Sequence, residues 1–529
     1  RPRPAWILYC SAIFVAVMSI ADAQGVMPVK SCWSNYERMD GWVTLIHTLS
    51  LIVVAACVMD TEKLWRRLFQ WSLAISALIS ILGLFQVAGS GLEGRIDLTF
   101  GNPIYLAVYM LFHVFLAALL WHQLWIAQKP GERWASWFYA AAMVLDVLAL
   151  LLSGTRGATL GLVFGAFLAL ALYAFSRDGS RRLRRWTTAV FVVLLVAAGG
   201  LRLAKDTSFV QSAGIFNRLS SISLSDNDTL ARILNIEMAW KGIEERPILG
   251  WGQENYAIVF DKFYDPRMYA QEQWFDRVHD VIFDWWVAGG TLGLLAYLSI
   301  FAAALYTLWK SQAFSRAERA ILVGLLAGYF IHLITVFDSI TSYILFALVL
   351  GYVVWRDASR RGTKPLFEKR LVPSGSLPVV AAIATVFVLG VAWWVNAAAL
   401  AENQDIIAAI SPQSDPSANL SYFQKAISYG TYGTQEAREQ LSQFAVSVLG
   451  ASSVSTSVKT QFVQYAVGEL DAQSQWSPLD ARFPLFAGAV LDAAGDYKDA
   501  GAELERAHEL SPQKQTILFE MAQNYGAEG

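Results

Sequence analysis

Apolar stretches near the twenty residues that a helix needs to cross about 30 Å of hydrocarbon recur through the first 400 positions of this 529-residue chain. They predict spans near 5–23, 42–59, 68–88, 104–127, 135–153, 157–175, 187–204, 281–309, 319–337, 340–355 and 377–400. Eleven spans put the two ends on opposite sides of a bilayer. Small residues recur at four-residue spacing in Gly157/Gly161/Gly165, Gly289/Gly293 and Gly324/Gly328. Such a face lets helices approach closely where lipid offers no hydrophobic drive for association.

After residue 400 the pattern becomes that of paired amphipathic helices. From Phe483 to Pro512 small residues fall where two helices would cross, Gly495 and Tyr497 mark a turn, and Pro512 ends the second helix. This is tetratricopeptide-like spacing, with a weaker copy over Leu420–Ala426. The predicted fold is therefore all-α: a polytopic membrane helical bundle over 1–400 with a large loop at 205–280, then a helical-repeat domain over 401–529.

Composition supports the division. The chain is 55% apolar and 16% charged, against roughly a quarter charged in soluble domains. The net charge of −2 is a sum of unlike parts, since residues 1–400 carry +7 and 19 of the 20 Trp, while 401–529 carry −9 and only Trp476. A single soluble enzyme, a secreted disulfide scaffold and a nucleic-acid binder are excluded. Cys10, Cys32 and Cys57 suggest no pair.

Basic residues orient the spans, because short cytoplasmic loops collect Lys and Arg. They gather at Lys63/Arg66/Arg67, Lys129/Arg133, Arg177–Arg185, Lys310/Arg316/Arg319 and Arg356–Arg370, on alternate loops. The other side, the periplasm of a bacterial inner membrane, then receives 24–41, 89–103, the turn at 153–156, the 205–280 loop and everything after 400.

Ionisable groups at membrane depth or its rim are costly unless paired or used. On the predicted periplasmic side they are Arg156 in Ser153-Gly-Thr-Arg156, Arg232 on a helix expected to be capped by Asp228, Arg277 and His279 in Trp274-Phe-Asp-Arg-Val-His279-Asp280, Arg95, Arg38 and Asp338. Arg156 could clamp a phosphate with its planar fork of donors or snorkel to lipid headgroups; Arg232 could equally be a helix-surface partner of Asp228. A lone His at a span end is more often structural, but His279 stands among carboxylates that fix a tautomer and raise basicity. Fixed guanidinium groups suit charge developing on a leaving diphosphate, and a histidine suits deprotonation of an attacking hydroxyl. No metal-ligand spacing links the histidines and no cofactor motif is visible, so the chemistry is expected to need neither. The triplet Asp226-Asn227-Asp228 reads as a hydrated loop with a helix cap rather than a metal site.

Several stretches together resemble the bacterial O-antigen ligase and polymerase superfamily of membrane glycosyltransferases: Asn35–Gly41, Phe100–Pro103, Leu152–Ala158, Arg246–Asn255, Trp274–His279 and Val336–Ser339. The tail is similar to that of a sub-branch of these proteins. The resemblance implies a lipid-linked donor carried on undecaprenyl diphosphate, metal-independent transfer to an acceptor hydroxyl, His279 as base, and Arg232 and Arg156 on the diphosphate, with Arg38, Arg95, Arg277 and Asp338 shaping the site. Two features depart from the family. Asp280 stands where Asn is frequent, and the family has further spans upstream, which with the missing initiator Met predicts an even number of spans before Arg1.

The acceptor stays open among lipid A core, a second lipid-linked glycan (a polymerase) and a protein hydroxyl (an O-oligosaccharyltransferase). The repeat domain is expected to recruit a protein partner. Two other classes use the same residues differently: a transporter or flippase in which the arginines bind an anion, and an assembly scaffold anchored by its spans. Transporters commonly show internal repeats and helices broken near the membrane midplane, and this sequence shows no convincing halves.

Overall fold

A computed structural model describes residues 3–90, 95–127, 133–176, 181–204, 206–207, 227–362, 364 and 373–528. The helices are α1 (Trp6–Ala23), α2 (Pro28–Trp33), α3 (Trp42–Val58), α4 (Glu62–Ser90), α5 (Pro103–Ala127), α6 (Arg133–Leu152), α7 (Arg156–Ala174), α8 (Arg181–Leu203), α9 (Asn227–Glu245), α10 (Tyr256–Lys262), α11 (Val281–Lys310), α12 (Arg316–Leu333), α13 (Ile340–Arg361), α14 (Leu377–Ile410), α15 (Pro416–Ser428), α16 (Thr434–Gly450), α17 (Thr456–Trp476), α18 (Arg482–Ala494), α19 (Tyr497–Leu510) and α20 (Gln515–Glu528). The described part is an all-α, polytopic membrane helical bundle with further helices beyond it.

Among the described residues eight helices are long and apolar enough to cross a membrane: α1, α4, α5, α6, α7, α11, α13 and α14. Three of the predicted eleven fall outside this set for stated reasons. The 42–59 stretch is a helix of only 17 residues. The 187–204 stretch lies on α8, which opens with four arginines in Arg181–Arg185. The 319–337 stretch is carried by α12, which has Arg316, Glu318 and Arg319 in its first turn and stops at Leu333. α9 begins at Asn227, so Asp228 lies inside its first turn rather than at the cap position; residues 205 and 208–226, Asp226 among them, lie outside the described residues.

Two compact units are formed. The first comprises 1–20, 43–233 and 278–368; the second comprises 21–42, 234–277 and 369–529. In the first, α7 and α12 meet through glycines. A Cβ on Gly161 would stand 2.3 Å from the Gly328 carbonyl oxygen, and one on Gly165 would stand 2.4 Å from that of Gly324. The repeated spacing thus brings backbone against backbone. Several polar groups within the helices are hydrogen-bonded to one another, which offsets the cost of burial away from water: Ser76 and Ser80 of α4 donate to Asp146 of α6 at 2.9 and 2.8 Å, and Arg356 of α13 pairs with Glu318 at 2.6 Å. α11 is broken at Gly290, whose φ of +62° is open to glycine and costly for other residues.

The second unit gathers three stretches far apart in sequence. The chain from Arg246 to Asn255 clasps the 22–40 segment. The Gln253 N–H donates to Asp22 at 2.7 Å, the Ser31 hydroxyl donates to the Gln253 carbonyl at 2.7 Å, and Asn255 donates to Ser31 at 3.1 Å. Gly25 lies so close to this strap that a Cβ would come within 2.9 Å of Gly252 Cα. Further along, α18 and α19 form a helix pair around Gly488, where a Cβ would meet Leu504 at 2.7 Å. Gly495, with φ +84°, ends α18 in the left-handed conformation, and the Asp496 side chain caps α19.

Lys514 closes the unit. It is fully buried, donates to the Gln273 carbonyl at 2.6 Å, lies 3.4 Å from Asp261 and sits 3.3 Å over the Trp274 ring. Burial pulls its ammonium down to about 8, with Asp261 opposing the shift. Lys514→Met removes the cation and leaves Asp261 buried without it, which costs about 3–5 kcal/mol. Thermal unfolding of the purified chain is expected to show this loss, and the double variant Lys514→Met/Asp261→Leu is expected to recover most of it.

Candidate functional site

Four of the sequence-predicted residues come together at one end of the first unit. The Ser153–Thr155 turn joins α6 to α7 and leaves Arg156 half-buried at the first position of α7. Arg95 braces this turn, donating from Nε to the Ser153 carbonyl at 2.8 Å and from NH2 to the Thr155 hydroxyl at 3.2 Å. Next to Arg156, Gly157 fits against Thr335, whose Oγ1 would stand 1.8 Å from a Cβ there. Two residues on, the Phe337 ring meets the His279 ring edge to face at 5.0 Å.

Asp338 anchors that segment. Its carboxylate is buried and accepts from Tyr329 at 2.5 Å, from Tyr297 at 2.9 Å and from the Trp285 indole at 3.2 Å. Three donors from α11 and α12 thus fix the turn that carries Phe337. Asp338 touches framework groups, while Arg95, Arg156 and His279 are the half-buried ones.

His279 itself has φ +61°, a left-handed conformation that costs a non-glycine residue of order 1–3 kcal/mol and persists only where its surroundings enforce it. Bonds on both sides do so. Asp280 caps α11, its Oδ1 accepting from the N–H groups of Ile282 and Phe283 at 2.9 and 3.2 Å, and Asp284 accepts from the Val278 N–H at 3.3 Å. Burial pushes the Asp280 carboxyl up, and its two cap bonds hold it back. Capping is the role seen in the hydrogen bonds of Asp280.

Arg232 is half-buried in the first turns of α9. The remaining two candidates lie in the second unit. Arg38 forms a two-pronged pair with Asp276, at 2.5 and 2.8 Å, and Asn35 donates to the same carboxylate at 2.7 Å. Arg277 is 3% exposed and held between Asp40 and Glu254, at 2.9 Å each. Two carboxylates share one guanidinium there. Burial first, then the nearby Asp40 charge, pushes Glu254 up to about 8 despite the counteracting Arg277. Its second oxygen is buried with no hydrogen-bond partner, which suits a protonated carboxyl, and its φ of +64° marks another strained position.

The sign of the resulting pH dependence follows from this raised value. The folded chain holds a proton that the unfolded chain, with Glu254 near 4.5, gives up, so this contribution is complete below 4.5 and is lost as pH rises through 8. Glu254→Gln keeps the neutral shape. Thermal unfolding between pH 6 and 9 should fall more steeply in the wild type than in this variant.

Sequence reasoning did not single out Phe337, Asp40 or Glu254. Phe337 carries no charge to attract notice, while Asp40 and Glu254 lie in stretches noted only for their resemblance, 213 and more positions apart in the Gln253–Asp40 bond that joins them. A buried carboxylate surplus around Arg277 is a three-dimensional fact. Among the described residues, no group of three or more His, Cys, Asp or Glu side chains is placed to hold a metal ion.

No curated protein matches the chain. Residues 141–298, the stretch that carries Arg156, Arg232 and His279, match the family described as O-Antigen ligase, so in this part the chain is similar to a family of membrane glycan-processing enzymes.

Proposed function

We propose that the protein is a glycan ligase at the periplasmic face of a bacterial inner membrane, which moves an oligo- or polysaccharide from undecaprenyl diphosphate to an acceptor hydroxyl. The observation that carries this reading is the strained His279, held at φ +61° inside the stretch similar to O-Antigen ligase. Backbone strain held by flanking bonds clusters at functional sites, which supports a functional role for His279. In the proposed step His279 takes the proton of the acceptor hydroxyl as its oxygen attacks the anomeric carbon. The bond from that carbon to the phosphate oxygen breaks, and the electron pair leaves with the undecaprenyl diphosphate. Arg156 and Arg232 stabilise the charge that grows on the leaving group.

Arg95 acts by bracing the turn that presents Arg156, and Asp338 by seating Phe337 against His279. Arg277 and Arg38 hold the loops of the second unit through their carboxylate pairs. The topology proposed keeps all eleven apolar stretches as spans, including the short α3 and the charge-bearing α8 and α12. α18 and α19 are read as a tetratricopeptide-like pair that recruits a protein partner, a reading supported by the close crossing at Gly488.

A defined undecaprenyl-diphosphate-linked glycan offered to the purified protein with lipid A core, with a Ser/Thr peptide or with donor alone is expected to give one product of increased mass and free undecaprenyl diphosphate. Mass spectrometry identifies the acceptor class. No product with any of the three, from active lipid-linked donor, would overturn the reading.

A further inference from the structure

The second unit contains a cavity of about 770 Å³ that none of the chemistry above uses. Its size is that of a small-molecule site, and chain segments far apart in sequence build it. Trp33 and Tyr432 stack at 5.8 Å between centroids and 22° between planes, and both line the cavity, as does Trp476. Polar lining comes from five carboxylates, four basic side chains and amides that include Asn35 and Gln435.

The cations on this wall are already engaged. Arg38 pairs with Asp276, Arg438 with Glu469 and Arg482 with Asp480, while Lys30 is buried. Glu37 and Glu272, by contrast, are exposed and have no cationic partner within ion-pair distance among the described residues. Burial, then the charges of Glu436, Glu402 and Glu37, push the Tyr36 phenol up. The lining thus carries five carboxylates against four cations, three of which are ion-paired, and this small negative excess disfavours a diphosphate or an acidic sugar. Flat aromatic faces with negative π-clouds suit the C–H faces of a pyranose, and carboxylate and amide oxygens suit its hydroxyl donors.

Resting on the reading of the protein as a glycan ligase, we propose that this cavity is a binding site for the uncharged sugar residues of the glycan, which stack on Trp33 and Tyr432 and donate hydroxyl protons to Glu37 and Glu272. The site selects the sugar portion and leaves the diphosphate to groups elsewhere.

The test uses the purified full chain titrated calorimetrically with oligosaccharides freed by mild acid from the host cell's own lipid-linked pool. Lysine-rich peptide and inorganic pyrophosphate serve as competing probes. The oligosaccharides are expected to bind, and Trp33→Ala/Tyr432→Ala is expected to weaken that binding at least tenfold. Glu272→Lys, an exposed change that does not depend on repacking, should weaken it as well, whereas His279→Ala should bind as the wild type does. Absence of oligosaccharide binding, binding unchanged in both pocket variants, or binding of the lysine-rich peptide alone would overturn the site. Transfer that survives His279→Ala would instead overturn the catalytic reading and leave the binding result standing.

Discussion

His279→Ala is expected to lower glycan transfer from an undecaprenyl-diphosphate donor by about 10²–10⁴-fold, the range that a positioned general base supplies, while donor binding is retained. His279→Gly distinguishes a base from a framework histidine. Glycine adopts φ +61° without the steric cost that histidine carries there, so this variant should lose transfer and yet unfold at a higher temperature than His279→Ala. A histidine kept only for packing on Phe337 would show no loss of transfer beyond its loss of stability. Asp280→Asn can still accept the N–H groups of Ile282 and Phe283 and should keep most of the activity. Asp280→Ala removes the cap, costs about 1 kcal/mol, and loosens the bonds that enforce the His279 backbone. If Asp280→Asn were as inactive as His279→Ala, the aspartate would be an electrostatic partner of the base and not simply its backbone support.

What the sequence reveals of this arrangement depends on the range of the interactions involved. Helices announce themselves locally: runs of apolar residues mark α1, α4–α7, α11, α13 and α14, while the charged first turn of α12 and its end at Leu333 shorten the apolar length of that helix. Glycines at four-residue spacing signal close helix approach, but not which helix pairs with which. The joining of Gly161 to Gly328 is visible only in three dimensions. Candidate arginines and His279 stand out because they lie on the side that the Lys/Arg pattern predicts to be poor in basic residues. Their supports do not stand out. Nothing near Arg95 in sequence announces that it braces Ser153, and the stacking of Trp33 on Tyr432 unites residues about four hundred positions apart. Pattern therefore identifies reactive groups, while the contacts that hold or surround them come from tertiary structure.

The glycine seam is where a single added side chain should have its largest structural effect. At Gly161 a Cβ would lie 2.3 Å from a carbonyl oxygen of α12, and the reciprocal position Gly328 would bring one within 2.6 Å of the Gly161 carbonyl. These neighbours are backbone, so no rotamer change relieves the overlap and the helices themselves must separate. Gly161→Val is accordingly expected to lose more stability than the 1–3 kcal/mol typical of overpacking, and to leave little monodisperse protein after detergent extraction. Gly390→Ala provides the contrast, since its Cβ meets nothing within 4 Å and alanine favours a helix by about 1 kcal/mol; it should be neutral or mildly stabilising. Gly157 separates packing from function at the same seam. Gly157→Ala drives a methyl onto the Thr335 hydroxyl, at 1.8 Å, displacing the segment that carries Phe337 toward or away from His279. Transfer should fall in this variant, and Thr335→Ala in the same chain should restore most of it, because the hydroxyl is removed and the Cβ that alanine keeps stands 3.1 Å away, an overlap that a shift of a few tenths of an ångström relieves. Rescue of transfer by the double change would tie the geometry of His279 to the α7–α12 seam. A double variant that folds like the wild type but stays inactive would place the sensitivity at Thr335 itself.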